Sequence, residues 1–178
     1  LYSLTTGDYN VAIGHLAGDA ITTKSGTVLI GYGAGGAIST TGDYTIAIGY
    51  GAMGGSEIGD GNIAIGYQSM QNANAAGFHR NTAIGYQAGN TVNTSGNYNM
   101  MLGYQAGYDV SGSTSYYTII GPMAGYGVTG GDYNTKIGYQ AGYTASGGDN
   151  NIMMGYRAGE TSSAGQYNSF IGYEAGKG

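Results

Sequence analysis

The chain has 178 residues, 38 of them glycine and one proline, and its hydrophobic residues (41 %) recur on a fixed schedule, which excludes collagen and glycine-rich disorder. A net charge of −5, with only 8 % charged residues and no Lys/Arg cluster, excludes electrostatic nucleic-acid binding. Zero cysteines exclude disulfides and thiolate metal sites, and no signal peptide or apolar run of the ~20 residues that cross a bilayer is visible.

The chain opens with Leu1-Tyr2-Ser3-Leu4-Thr5-Thr6-Gly7, which reads as the tail of a preceding repeat. Then comes Asn10-Val11-Ala12-Ile13-Gly14, the first of ten related strings. Their marker glycines are Gly14, Gly31, Gly49, Gly66, Gly85, Gly103, Gly121, Gly138, Gly155 and Gly172, separated by 17, 18, 17, 19, 18, 18, 17, 17 and 17 residues. So short a period predicts an all-β, parallel β-solenoid of about ten rungs of 17–19 residues, each of two short strands plus turns. With Gly176-Lys177-Gly178 read as a truncated repeat, residues 1–178 are expected to be one array within a longer fibre.

The residue before each marker is Ile13, Ile30, Ile48, Ile65, Ile84, Leu102, Ile120, Ile137, Met154 and Ile171. Three before it stand Val11, Val28, Ile46, Ile63, Thr82, Met100, Thr118, Thr135, Ile152 and Ser169. Alternation puts these two positions on one strand face, expected to line the coil. The position between them holds Ala12, Leu29, Ala47, Ala64, Ala83, Met101, Ile119, Lys136, Met153 and Phe170, and is expected to face outward. Nine of these ten are apolar, so the second face is expected to be covered by another copy of the chain. Lys136 is expected to mark a hydrated rung or to snorkel outward.

Four before the marker, Asn10, Asn62, Asn81, Asn99, Asn134, Asn151 and Asn168 can form an amide ladder, with Thr27, Thr45 and Tyr117 at other rungs. Six before it, Asp8, Asp43, Asp60, Asp132 and Asp149 recur in turn contexts such as Gly7-Asp8-Tyr9. Stacked carboxylates suit Ca²⁺, but the spacing of calcium-binding rolls is absent, so turn capping is the preferred role. After the marker comes Tyr32, Tyr50, Tyr67, Tyr86, Tyr104, Tyr139, Tyr156 or Tyr173 in eight repeats, and His15 or Pro122 in the others. These tyrosines are candidates for surface contact with sugar rings; the structural alternative is stacking from rung to rung. Small residues three after the marker, and the marker itself, imply close backbone approach at a corner. Variable segments such as Gln71 to Arg80 read as surface loops.

The run Asn81-Thr82-Ala83-Ile84-Gly85-Tyr86-Gln87-Ala88-Gly89 resembles two related repeats. Asn10-Val11-Ala12-Ile13-Gly14 and Asn62-Ile63-Ala64-Ile65-Gly66 resemble the head repeat of trimeric autotransporter adhesins. The Tyr-Gln-Ala-Gly continuation and the Thr-Thr-Gly linkers at Thr5-Thr6-Gly7 and Thr40-Thr41-Gly42 are more similar to phage tail-fibre repeats. The resemblance implies a left-handed β-roll assembled with two further copies as a homotrimer. It also implies a place outside the cell, on a virion tail fibre or a bacterial surface, and a host glycan or protein as partner.

No nucleophile context accompanies the serines, and His15 and His79 lie in different repeats, so neither an enzyme nor a cofactor nor a metal is expected. No membrane insertion is expected either. The most economical function is a structural or adhesive fibre segment used in host attachment. A ligand-binding solenoid for ice or polysaccharide is the alternative, suggested by the threonine pairs Thr5-Thr6, Thr22-Thr23 and Thr40-Thr41.

Overall fold

A computed structural model describes residues 3–38, 42–55, 58–73, 77–92, 96–112, 114–163 and 165–177. The chain is a parallel β-solenoid, with no α-helix among the described residues. Its strands in chain order are β1 (Val11–Ile13), β2 (Val28–Ile30), β3 (Ile46–Ile48), β4 (Ile63–Ile65), β5 (Thr82–Ile84), β6 (Thr91–Val92) and β7 (Met100–Leu102). There follow β8 (Asp109–Ser111), β9 (Thr118–Ile120), β10 (Gly127–Thr129), β11 (Thr135–Ile137), β12 (Ile152–Met154) and β13 (Ser169–Ile171).

Ten of these strands form one sheet in the order β1-β2-β3-β4-β5-β7-β9-β11-β12-β13. Each is the three residues before a marker glycine, and register is strict: Ala64 pairs with Ala83, and Ala83 with Met101. The second strand expected in every rung is found, among the described residues, in three successive rungs, where β6, β8 and β10 make a small parallel sheet.

The marker glycines do turn a corner. Gly85 has φ of 140°, and a Cβ there would strike the backbone of Gly103 on the next rung. With rungs ~4.8 Å apart, neighbouring corners leave no room for a side chain. The corner is held by backbone bonds such as Gly85 N–H to the Ile65 carbonyl at 2.8 Å.

The core corrects the facing of the strands. The middle residue points into the coil: Leu29, Ala47, Ala64 and Ala83 are fully buried, and Met101, Ile119, Lys136 and Met153 nearly so. Only the end rungs, with Ala12 and Phe170, leave that column half-covered. The residues on either side of it point out. Ala83 is 0 % exposed and its neighbour Ile84 is 39 % exposed. The physical reason is width. The interior must also hold the column three after the marker, Ala34, Ala52, Ser69, Ala88, Ala106, Ala124, Ala141 and Ala158, all buried. Two facing columns fit when one is small throughout and the other is small or matched to space opposite it. A column of branched isoleucines has no place there.

That matching is visible four residues after the marker. Where the middle residue is large, the position facing it is glycine: a Cβ on Gly107 would sit 2.7 Å from the sulfur of Met101. Where the middle residue is Ala47 or Ala64, the same position carries Met53 or Met70, both fully buried. In the Ala83 rung the same position is Gly89, and the space beside it is filled by Met101 from the next rung.

The variable segments also contribute to the core. Ile21, Ile38, Ile58, Val92, Val110 and Val128 are buried, and so are Ala73 and Phe78 within the Gln71–Arg80 segment read as surface loop. Of that segment, Asn74, Ala75 and Ala76 lie outside the described residues.

Candidate functional site

The candidate functional surface is the outward face of the ten-stranded sheet. Two columns run along it, one apolar throughout and one in which Thr82, Thr118, Thr135 and Ser169 stand among apolar residues. One is Ile13, Ile30, Ile48, Ile65, Ile84, Leu102, Ile120, Ile137, Met154 and Ile171, expected inside the coil and found exposed or half-exposed. The other begins with Val11, Val28, Ile46 and Ile63 and is likewise outward. The residues expected to form a subunit interface, Ala12, Leu29, Ala47, Ala64, Ala83, Met101, Ile119, Met153 and Phe170, instead face the interior of their own coil. The strands alternate as expected, with the phase inverted.

Just beyond the corner lies the tyrosine column. His15, Tyr32, Tyr50, Tyr67, Tyr86 and Tyr104 stack in an unbroken series, with ring centroids 5.0–5.4 Å apart. Pro122 interrupts it, and Tyr139, Tyr156 and Tyr173 resume it. These tyrosines are exposed, but at their edges and hydroxyls, because each internal ring has a neighbour on both faces. Sugar recognition by aromatic residues uses the ring face. The stacking alternative therefore describes this column. Sequence reasoning missed two shorter ladders: Tyr98–Tyr116–Tyr133, and Tyr108–Tyr126–Tyr143. Their signal is present as tyrosines five before and five after successive markers.

Beside the tyrosines, Gln87 donates to Gln68 at 2.9 Å and Gln105 to Gln87 at 3.0 Å. The expected asparagine ladder is also present. The Asn81 side-chain oxygen accepts the Asn99 backbone N–H at 2.8 Å, and its amide donates to the His79 and Gly96 carbonyls. Asn62, Asn134 and Asn151 likewise accept the backbone N–H of the next ladder residue. Buried amides therefore knit each turn to the next.

The aspartates form an inter-rung ladder rather than local turn caps. Asp43 accepts the Ser25 backbone N–H, Asp60 that of Asp43, Asp132 that of Ser115 and Asp149 that of Asp132, at 2.7–3.0 Å. At Asp8 the backbone N–H donates to the Ser25 hydroxyl. His79 takes the same place in its rung, its Nδ1 accepting the Asp60 N–H at 2.9 Å. Among the described residues, no cluster of three or more His, Cys, Asp or Glu side chains is placed to hold a metal ion.

Of the threonine pairs, Thr5-Thr6 and Thr22-Thr23 lie side by side, the Thr22 carbonyl accepting both the Thr5 and the Thr6 N–H. Thr40 and Thr41 lie outside the described residues.

Lys136 departs most from expectation. It is 1 % exposed, inside the coil, its Nζ 3.3–3.4 Å from the Gly142 and Ala145 carbonyls and 5.4 Å from the Tyr117 ring centroid. Burial pulls its pKa down to about 7. Tyr117, which stands where other rungs carry asparagine, is pushed up to about 12, chiefly by burial. A small cavity lined by Tyr117, Asn134, Lys136, Ser146, Asn151 and Met153 adjoins the pair.

No family model, curated protein or solved structure matches this chain. The fold is a β-solenoid compatible with structural or adhesive repeat proteins, and columns of like residues run along its surface.

Proposed function

We propose that this chain is a non-catalytic, stiff fibre segment that assembles as a homotrimer through the outward face of its sheet. In this reading it serves host attachment as part of a phage tail fibre or a bacterial surface adhesin. The observation that supports it is the outward apolar column from Ile13 to Ile171, flanked by a second column that is apolar in six of ten rungs, on an in-register sheet. Ten rungs ~4.8 Å apart and three residues of ~3.3 Å each make a strip on the order of 450 Å². That is within the range of the largest apolar patch on a typical monomer, and such patches are commonly interaction sites. With 8 % charged residues, the chain has little to shield such a face from association.

The number three, the place outside the cell and the attachment role rest on the resemblance of Asn62-Ile63-Ala64-Ile65-Gly66 and its copies to fibre repeats. Recognition of a host glycan or protein falls to the variable segments at the rod's surface. Three copies give weak sites the benefit of avidity. The ice- or polysaccharide-binding alternative keeps its threonine pairs, of which Thr5-Thr6 and Thr22-Thr23 lie side by side, but gains nothing from the tyrosines, whose faces are occupied by one another.

The experiment is attachment by a complete fibre in which the exposed residues Asn72 and Arg80 and their counterparts in other rungs are exchanged for Gly or Ser. The buried Ala73 and Phe78 are left intact. Reduced attachment is expected; unchanged attachment makes the segment a spacer, and hydrolysis of a glycan by the parent chain refutes the non-catalytic reading.

A further inference from the structure

Tyr98, Tyr116 and Tyr133 stand in consecutive rungs with their rings nearly parallel. The Tyr98–Tyr116 centroids are 5.3 Å apart at 7°, and the Tyr116–Tyr133 centroids 4.7 Å apart at 4°. The latter is the tightest aromatic pair among the described residues. All three rings are exposed, Tyr116 by 46 % and Tyr133 by 55 %. Their backbones hold the same left-handed conformation, with φ of 60°, 61° and 58°, and each N–H is bonded to the rung before: Tyr98 to His79, Tyr116 to Asn97, Tyr133 to Ser115. The side chains therefore leave the rod from equivalent points, and like atoms of neighbouring rings face each other. The column lies five before the markers, apart from the two outward columns assigned to assembly.

We propose that this ladder is a site of dityrosine cross-linking, at which a one-electron oxidant covalently staples successive coils of the rod. The oxidant class is a haem peroxidase supplied with hydrogen peroxide, or its photochemical equivalent. Each of two adjacent phenols loses one electron and one proton to become a phenoxyl radical. The radicals join through the ring carbons ortho to oxygen, forming one C–C bond. Each ring then regains aromaticity as the hydrogen on its joined carbon moves to its oxygen. Two hydrogen atoms leave the protein per link, and one hydrogen peroxide is reduced to two waters.

Composition favours this outcome over its competitors. The chain has no cysteine, whose thiol reduces a tyrosyl radical, and no tryptophan to compete for the oxidant. A radical formed anywhere on the ladder can pass between stacked rings until a second meets it. The alignment needed for coupling is already set by the fold, as in any reaction between groups held at contact distance. A staple between residues 17 or 18 apart closes many short loops in series and adds resistance to unravelling from the ends.

The test oxidises the whole chain at low micromolar concentration with a ruthenium photosensitiser and persulfate, which reach exposed tyrosines without docking. Digestion before aspartate places Tyr98, Tyr116 and Tyr133 on three different peptides; mass spectrometry detects linked peptides by the loss of two hydrogens, and fragmentation assigns the linked tyrosines, separating them from Tyr108, Tyr126 and Tyr143 on the same peptides. The expected products are Tyr98–Tyr116 and Tyr116–Tyr133 links within one chain, several-fold more abundant in folded than in guanidinium-denatured protein. Tyr133→Phe, which keeps a stacking ring, abolishes the second link and spares the first; Tyr98→Phe does the converse. Equal yields in folded and denatured chains, links only between chains, or tyrosine oxidation without these pairs overturns the proposal.

Discussion

The Lys136 ammonium lies 5.4 Å from the centre of the Tyr117 ring, inside the coil and one rung away from it. The two residues break two different columns: Lys136 replaces an apolar middle residue and Tyr117 replaces a ladder asparagine. Tyr117 takes part in the ladder differently, its hydroxyl donating to the Gly130 carbonyl and accepting from the Asn134 side-chain amide. Its ring gives the buried cation a partner that two long carbonyl bonds alone do not supply. The substitutions read as one joint exception in neighbouring rungs.

Lys136 makes stability depend on pH. Its folded pKa, about 7, is below the 10.5 of the exposed side chain, so between these values the unfolded chain holds more protons. Stability therefore rises with pH through this window, by at most ~1.4 kcal/mol per pH unit. Tyr117 acts oppositely above pH 10, where the unfolded phenol ionises before the folded one, whose pKa is about 12. Melting temperature is expected to climb from about pH 7 to about pH 9. Lys136→Met, which fills similar volume without charge, should raise the melt at neutral pH and flatten the climb. An unchanged slope in Lys136→Met would show that the buried ammonium is not its source.

The Met101–Gly107 pair tests volume matching. A Cβ on Gly107 would meet the Met101 sulfur at 2.7 Å and its Cγ at 3.0 Å. Gly107→Ala is expected to lower stability by about 2–3 kcal/mol, from overpacking and a left-handed φ of 59°. Met101→Ala should cost roughly 2–5 kcal/mol for its cavity. The double variant should fall short of the sum by about 1 kcal/mol or more in denaturant unfolding; simple additivity would refute the matching.

Two glycines with positive φ should differ sharply. Gly85 has the next rung's backbone where its Cβ would go, whereas Gly33, at φ of 62°, has nothing within 4 Å. Gly33→Ala should cost only about 1 kcal/mol of conformational strain. Gly85→Ala should force neighbouring rungs away from each other, seen as loss of amide-exchange protection from Ile65 to Leu102. Similar protection in both variants would contradict the corner assignment.

Asn81 is fully buried and bonded to the rungs on both sides. Asn81→Ala leaves the Asn99 N–H and two carbonyls without their side-chain partner, at roughly 1–3 kcal/mol per orphaned group. Its neighbour Arg80 is exposed, so Arg80→Ala serves as the comparison and should change the melt little. Equal melting of the two variants would remove the amide ladder from the list of stabilising contacts.

Much of this architecture is readable because a solenoid writes each structural role once per turn. The period locates the ten strands, the marker Gly85 locates the corner, and the asparagine column locates the amide ladder, whereas the aspartates read as turn caps and proved to bond between rungs. The phase of the strands is not readable, because Ile84 and Ala83 are both apolar and alternation alone does not say which is inside. The deciding clue is a long-range volume relation, Ala64 with Met70 and Met101 with Gly107, which emerges only when facing columns are compared. Phe78 and Lys136 are misplaced for related reasons. A variable segment reads as surface, and a lysine reads as wet, until a neighbouring rung is found to enclose it.

In the proposed assembly, Ile65 and Ile84 face other copies of the chain while Ala83 faces its own core. Sedimentation equilibrium with far-ultraviolet circular dichroism tests this directly on the parent, the Ile65→Asp/Ile84→Asp double variant and Ala83→Asp. The predicted result is a parent at three times the 18.0 kDa chain mass, a double variant sedimenting as a single folded chain, and an Ala83→Asp chain that has lost its β-structure. A monomeric parent, or a double variant that unfolds while Ala83→Asp stays folded, would contradict it.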